Sequence, residues 1–351
     1  MHSKEFEFDV IFFLSERRQL QPDLENLGCT VTCLNSSNVL QILLRLPALC
    51  RIIRTQHYDL IHAHLPWAGI MARMAGKITG VPVVYTEHNL FRHYNLFTRF
   101  FSKLTFSWQA CVIAVSDEVA SVVLEVVKPT VRVKTIRNAV DTMEFNKGNF
   151  KVEELKKKFD LPADAVIIGN VSSIRPQKRM DRWISIATKI SKQMPKVFFL
   201  VVGGGVTKDE LEVKAKAEIG EEKVLFTGQS SEPAQWMVCM DIYLMSSDFE
   251  GLPVALLESM SMECVPVVTS VGGIPTMIKD EVNGFLFKPE DEDTAVRRIL
   301  NLIEHPDLRK RIGGEARRTV EENYGIERMV KELEEVYGEV MSSKAVPKTL
   351  R

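Results

Sequence analysis

An α/β chain of two doubly wound domains facing a cleft is the architecture this sequence predicts, on three observations. Apolar strand-like runs alternate with helix-period segments along the whole chain, the signature of parallel sheets. At 351 residues the chain exceeds one ordinary core and suits two domains of average size. The alternation also falls into two stretches of similar make-up, on either side of the polar, lysine-rich segment 146–158. The predicted domains are therefore 1–148 and 149–325, with 326–351 a terminal helix and tail that packs along or across them.

In order, the strands expected in the first half are "FDVIFFL", "CTVTCL", "YDLIHAH", "VPVVYTE", "ACVIAVS" and "VRVKTIRN". Between the second and third, "NVLQILLRLPALCRIIRTQ" has helical apolar spacing, and Pro47 is expected to bend that helix. The second half offers "AVIIGNVSS", "KVFFLVVGGG", "KVLFTG", "DIYLMSS", "VPVVTS" and "GFLF". The tail "NYGIERMVKELEEVYGEVM" reads as one more packed helix. An apolar share of 45% and a charged share of 26% are those of a folded globular protein. The formal charge of -1 argues against bulk nucleic-acid binding. Six cysteines with no Cys-x2-Cys spacing, most inside apolar runs, predict buried reduced thiols. With no signal peptide at Met1 and no bilayer-length apolar run, the expected location is the cytoplasm.

Chemistry concentrates at strand exits, where doubly wound sheets bind ligands. After the strand "DIYLMSS" comes "DFEG", then "PVALLESMSM", a helix with Pro253 suited to its first position. Free amides at that helix start, with Gly251 allowing close approach, suit a diphosphate. Glu258, a turn further on, can accept two hydrogen bonds from a vicinal diol such as a ribose, while Glu250 would face whatever the diphosphate carries. The bland reading is that Glu250 favours the helix dipole and Glu258 is solvated. In "NVSSIRPQKRMD", Lys178 with Arg175 and Arg179 could neutralise a leaving nucleoside diphosphate, or form an ordinary solvated basic loop. "HAHLP" puts His62 and His64 at one strand end and "YTEHN" puts His88 at the next. Glu87 nearby raises a metal reading, but no third ligand spacing supports it, and a polar strand end explains the cluster as well. "VVGGG" lacks the G-x-G-x-x-G spacing and reads as a strand-end turn at Gly203–205. The aromatics of 91–108 interleave with Arg92, Arg99 and Lys103. A core-facing helix with a basic outer edge is expected there, ahead of an acceptor or membrane-surface patch.

"EGLPVALLE" followed by "PVVTSVGGIPTMIKDEVNGFLF" resembles the family 4 retaining glycosyltransferases, from Glu250 to Phe287, with weaker matches across nearly the whole chain. The resemblance implies the GT-B fold, two Rossmann-like domains of which the first is the acceptor side and the second binds the nucleotide sugar. It implies that Glu258 holds a ribose and that Glu250 contacts the donor sugar. Gly251 and Leu252 would supply amides to that sugar and the diphosphate. His88 stands at the position of a frequent active-site histidine, contacting the donor sugar and helping to orient the acceptor, with His64 beside it. "FTGQSSEP" resembles the segment beside the nucleotide base, which makes Gly228 and Gln229 base neighbours. The family's arginine five positions before the lysine is Ser173 here, so Lys178 is the firmer phosphate ligand and Arg175 a substitute from two residues on. In "IRNAVD", Ala139 replaces a glycine of the family's "NGVD" turn, so the turn geometry is expected to differ.

The implied reaction moves a sugar from a nucleotide-diphosphate donor to an acceptor hydroxyl on a glycan, polysaccharide or lipid-linked sugar, with retention. No cofactor or bound metal is expected, the leaving diphosphate can serve as base, and a lipid-linked acceptor would bring peripheral contact with the inner membrane face. The family also places a strand, a glycine-rich turn and a helix before the segment matching "FEFDVIFFL". Without that central strand, two inner edges stay unpaired or the flanking strands pair directly. The expectation is that Met1 is an internal methionine and the natural chain begins upstream. The alternative function is a weakly active or inactive nucleotide-sugar-binding protein that lacks the glycine loop. An epimerase would leave the Glu-x7-Glu spacing unexplained.

Overall fold

The computed structural model of the chain describes residues 5–15 and 20–345. All twelve expected segments are strands. They are β1 (Val10–Leu14), β2 (Val31–Ser36), β3 (Ile61–His64), β4 (Val83–Glu87), β5 (Cys111–Ala114) and β6 (Arg132–Thr135), then β7 (Val166–Val171), β8 (Val197–Val202), β9 (Val224–Gly228), β10 (Ile242–Met245), β11 (Val265–Thr269) and β12 (Phe285–Phe287). Two compact units result: residues up to Arg137 together with those from Met329 onward, and Asn138–Arg328.

The crossing between units therefore precedes the polar segment at 146–158 that the sequence suggested. Hydrogen bonds explain the difference. Val140 donates its amide to Tyr324 O at 3.0 Å. Phe145 O accepts from Ser261 Oγ at 2.7 Å and from Arg317 at 3.2 Å. These bonds fasten 140–145 to the second unit, and the lysine-rich stretch is only the solvated face of helix Val152–Lys158. The terminal helix Ile326–Ala345 returns to the first unit. From Met329 on it belongs to the first unit, where Val336, Tyr337 and Val340 pack with Val84, Cys111, Ile113 and Ile136. The tail beyond 345 lies outside the described residues.

In the first unit β3-β4-β5-β6 form one parallel sheet, and β1 pairs only with β2. Of the two outcomes the sequence left open, the unpaired one is found: β1 and β3 each keep an edge without a strand neighbour among the described residues. Both are only partly covered, whereas every residue of β4 and β5 is buried. Pro47 breaks the expected long helix rather than bending it, into Val39–Leu44 and Leu46–Thr55, because its ring cannot continue the preceding turn.

Helix Leu96–Thr105 reverses its expected orientation. Thr98, Ser102 and Thr105 are its buried residues. They are drawn in by Arg73, which is fully buried and donates to Thr105 Oγ1 at 3.1 Å, Ser102 Oγ at 3.2 Å and Gln109 Oε1 at 3.3 Å. A guanidinium inside a core must find acceptors, and that requirement outweighs the burial of the helix's phenylalanines. Apolar periodicity in 91–108 carried no trace of Arg73.

The second unit is one six-stranded parallel sheet in the order β12-β11-β10-β7-β8-β9. Its strands are near-continuous apolar runs because helices cover both faces. Trp183, Ile186 and Ile190 of helix Met180–Ser191 pack on Phe199 and Val201. Strand order reverses between β7 and β10, so the exits of those two strands flank the crevice where such sheets take ligands.

Candidate active site

The exit of β7 is held open by glycines. Gly203 takes φ +141, and a Cβ there would lie 1.9 Å from Ser172 O, while one on Gly205 would lie 2.1 Å from Ile174 O. The turn after β8 can thus press against 172–174, with Ile174 N donating to Gly204 O at 2.9 Å. "VVGGG" is a strand-end turn that shapes its neighbour's loop. The β7 exit then makes the short 3-10 turn Pro176–Lys178, and Arg179 follows at φ 48.

The exit of β10 is stitched to that turn. Ser246 Oγ donates to the carbonyls of Lys178 (3.1 Å) and Arg179 (2.9 Å), and the Asp248 amide donates to Gln177 O at 2.9 Å. Arg182, nearly buried, donates to Ser246 O at 2.6 Å and Asp248 Oδ1 at 2.9 Å. Between them lies the central contact: Lys178 Nζ donates to Glu250 Oε1 at 2.6 Å, and Ser247 Oγ donates to the same oxygen at 2.6 Å. Glu250 is only 8% exposed. An ammonium in this position holds the carboxylate in one rotamer and leaves the other carboxylate oxygen, Oε2, without a described donor.

Past Glu250 the backbone turns sharply. Gly272, at φ +59, packs so closely that a Cβ would sit 1.8 Å from Glu250 O, and Gly273 N donates to Gly251 O at 2.9 Å. Asn138 Nδ2 donates to Leu252 O at 2.7 Å. Helix Val254–Ser261 follows with Pro253 as its N-cap, one position before the first-turn place expected from sequence. The reason is that Pro253 has ψ 118, extended rather than helical. The Gly251–Leu252 step still leads directly into a helix start, whose first amides have no intrahelical acceptor.

Glu258 sits one turn into that helix, and its carboxylate accepts no hydrogen bond among the described residues. Burial, and then the charge of Glu144, push its pKa up to about 7. A half-buried carboxyl without donors is poised to gain them from a ligand.

The remaining expected residues of this unit are nearby in the chain but unengaged. Ser173 and Arg175 are exposed, and Arg175 makes no ion pair among the described residues. Gly228, at φ +73, accepts from Gly203 N at 2.8 Å, which brings exposed Gln229 beside Gly204. Ala139 avoids positive φ, so the turn after β6 differs from a glycine turn. Sequence reasoning missed Ser246, Ser247, Asp248, Arg182 and Gly272. The polar triplet at 246–248 directly after an apolar strand was the available signal.

In the first unit the histidines converge. His64 Nδ1 and His88 Nε2 are 2.9 Å apart, so one nitrogen donates and the other accepts. His62 lies between Tyr337 Oη (2.6 Å from Nδ1) and Thr86 Oγ1 (2.7 Å from Nε2), so both of its nitrogens are engaged. Burial, then the His64 charge, lowers the pKa of His88 to about 4, and burial also lowers His64 and His62. All three rings are therefore neutral at pH 7. Glu87 does not join them. It is buried, takes hydrogen bonds from Tyr94 and from Asn89 N at 3.2 Å, and burial raises its pKa to about 7. Among the described residues no group of three or more His, Cys, Asp or Glu could hold a metal ion.

Residues 151–319 match the family described as Glycosyl transferases group 1, and residues 2–144 match Glycosyltransferase Family 4. A putative glycosyltransferase, EpsD of Bacillus subtilis, is 25% identical over 86% of this chain and 81% of its own. An Escherichia coli enzyme named UDP-Gal:alpha-D-GlcNAc-diphosphoundecaprenol alpha-1,3-galactosyltransferase is 23% identical over 85% of this chain and 79% of its own. Among solved structures, Anabaena HepE in complex with UDP-glucose superimposes with a TM-score of 0.84, at 19% identity, over 94% of this chain and 91% of that one.

Proposed function

Because the chain belongs to the group 1 and family 4 glycosyltransferases and shares their GT-B fold, we propose that it transfers a sugar, with retention, from a nucleoside-diphosphate donor to a hydroxyl of a glycan or lipid-linked acceptor. The observation that carries this reading is the Lys178–Glu250 pair at the strand-order reversal, in the loop that leads into the helix carrying Glu258, whose carboxylate has no described donor. A solved relative is described with UDP-glucose, and one sequence relative is named for a diphosphoundecaprenol-linked acceptor.

The donor's ribose diol donates to Glu258. Its diphosphate lies at the Gly251–Leu252 step, against the first amides of helix Val254–Ser261 and the cations Lys178 and Arg175. As the glycosidic bond breaks, negative charge grows on the diphosphate, and these amides and cations stabilise it without reorganising. Glu250, fixed by Lys178 and Ser247, presents its other oxygen to the sugar hydroxyls. Neutral His88 accepts or donates one hydrogen bond to the donor sugar and orients the acceptor. No metal ion is needed in this scheme, so activity should survive chelation of divalent cations. Calorimetry against UDP-, GDP- and ADP-sugars, paired with nucleotide release and NMR of the product anomer, tests the reading. An inverted anomer would remove the retaining assignment.

A second reading is binding of a nucleotide sugar without efficient turnover. Ser173 in place of an arginine favours it. Tight binding with no nucleotide release would select it over the first.

A further inference from the structure

One short stretch, residues 138–145, clasps both ends of the helix that carries Glu258, just where the chain first enters the second unit. At the start of the stretch, Asn138 Nδ2 donates to Leu252 O at 2.7 Å. At its finish, Phe145 O accepts from Ser261 Oγ at 2.7 Å. Between them, Val140 N donates to Tyr324 O at 3.0 Å, and Arg317 donates to Thr142 O at 3.4 Å and to Phe145 O at 3.2 Å. The stretch is thus tied down along its own length, which makes Asn138 a fixed donor.

What Asn138 holds is a carbonyl in the step proposed to receive the diphosphate. Gly251 N and Leu252 N have no acceptor among the described residues, so both hydrogens are available to an anion. They stay available only while the carbonyls of the step point away, because a turned peptide plane presents an oxygen to the phosphates in place of an N–H. Gly251 O is held by backbone, through Gly273 N at 2.9 Å. Leu252 O depends, among the described residues, on the Asn138 side chain alone. The peptide unit it belongs to ends in Pro253, which has no N–H to anchor the plane from its other side. With both carbonyls held, the two planes that meet at Leu252 cannot turn.

Resting on the donor site proposed above, we infer that Asn138 is a positioning residue for it: from the crossover stretch it locks the Leu252–Pro253 peptide, so that the amides before it face the donor's diphosphate. Its side chain touches the cradle and not the reacting atoms. A carbonyl oxygen accepts only from a donor, so the Asn138 amide is oriented with its nitrogen toward Leu252. Removing that donor should therefore be felt by the phosphates of a ligand and not by its base or ribose.

The test compares the wild-type chain with Asn138→Leu, Asn138→Asp and Ser261→Ala, by NMR titration with UDP, GDP and ADP and with the matching nucleosides. Leucine keeps the branched shape of asparagine without its donor. Asn138→Leu should bind the nucleoside diphosphate about tenfold more weakly, the worth of a hydrogen bond whose acceptor is left unpaired, and should bind the nucleoside as the wild type does. Asn138→Asp, isosteric and ionised, cannot donate and adds a negative charge beside the phosphates, so its loss should exceed that of Asn138→Leu. Ser261→Ala cuts the other end of the clasp, away from the diphosphate. It should lower the melting temperature and leave the ratio of diphosphate to nucleoside affinity unchanged. An unchanged ratio in Asn138→Leu, or an equal loss of it in Ser261→Ala, would overturn the role of Asn138 and leave the transfer reading standing. A wild type that binds none of the three nucleoside diphosphates would overturn both.

Discussion

Glu258 gives the most quantitative handle on donor binding. An ordinary glutamate ionises near 4.5, and this one is raised to about 7 by burial and then by Glu144. Keeping it charged at neutral pH in the empty site costs about 3 kcal/mol relative to water. A ribose diol that donates two hydrogen bonds stabilises only the ionised form, so the donor binds the deprotonated protein. With a pKa of about 7, the ionised fraction falls from about nine-tenths at pH 8 to about one-tenth at pH 6. Donor affinity should therefore weaken about tenfold over that interval. At pH 7 binding should release about half a proton. The diphosphate of a nucleotide sugar is a diester and does not titrate there, so the proton has a single source in the account. Calorimetry at three pH values, in two buffers of different ionisation enthalpy, measures both quantities. Glu258→Gln should bind weakly with no pH dependence, and Glu144→Gln should move the wild-type profile to lower pH. A wild-type Kd constant from pH 6 to 8, or an unchanged profile in Glu258→Gln, would refute the role given to this carboxyl.

Three further outcomes follow from the same contacts. Lys178→Met should lower kcat about a hundredfold or more, as loss of a preorganised charge partner does, and stopped-assay kinetics with saturating donor would read it. Gly272→Ala should destabilise the second unit by at least about 1–2 kcal/mol from the left-handed backbone alone, with added loss of donor binding because its Cβ meets Glu250 O at 1.8 Å; Gly314→Ala, inside helix Pro306–Asn323 with nothing within 4 Å, should instead stabilise by about 1 kcal/mol in denaturant unfolding. Because the folded pKa of His88 lies near 4 and the unfolded one near 6.5, its proton uptake favours unfolding as pH falls through that window. The wild type should lose about 2 kcal/mol more stability between pH 7 and 5 than His88→Gln does, whereas Glu87 and Glu258, raised to about 7, act in the opposite direction in both proteins.

The strands were legible because both faces of a parallel sheet are buried, which forces unbroken runs such as "VFFLVV" and "VPVVT". The loop and helix that carry Glu250 and Glu258 were legible for a local reason: a glycine and a proline stand directly before an apolar helical run. What stayed hidden depended on distant partners. The bond from Lys178 to Glu250 joins positions 72 apart, and only the sheet order brings the two loops together. The need for Gly272 appears only once Glu250 O is seen against it. The orientation of helix Leu96–Thr105 was misjudged because one buried arginine outweighs four phenylalanine and leucine side chains, and Arg73 lies in another helix. Likewise the polar segment at 146–158 looked like a linker, while the anchoring of Phe145 O by Ser261 and Arg317 involves residues more than a hundred positions away.

The central claim is that the loops after β7 and β10 form a nucleotide-sugar site that carries out transfer. Titration of UDP-, GDP- and ADP-sugars into the wild type and Glu250→Gln, followed by nucleotide release with acceptor present, tests it most directly. The account predicts that one nucleotide class binds at one site per chain and is turned over by the wild type, with Glu250→Gln still binding but turning over far more slowly. Binding of none of the nucleotide sugars at millimolar concentration, or equal turnover by Glu250→Gln, would contradict it.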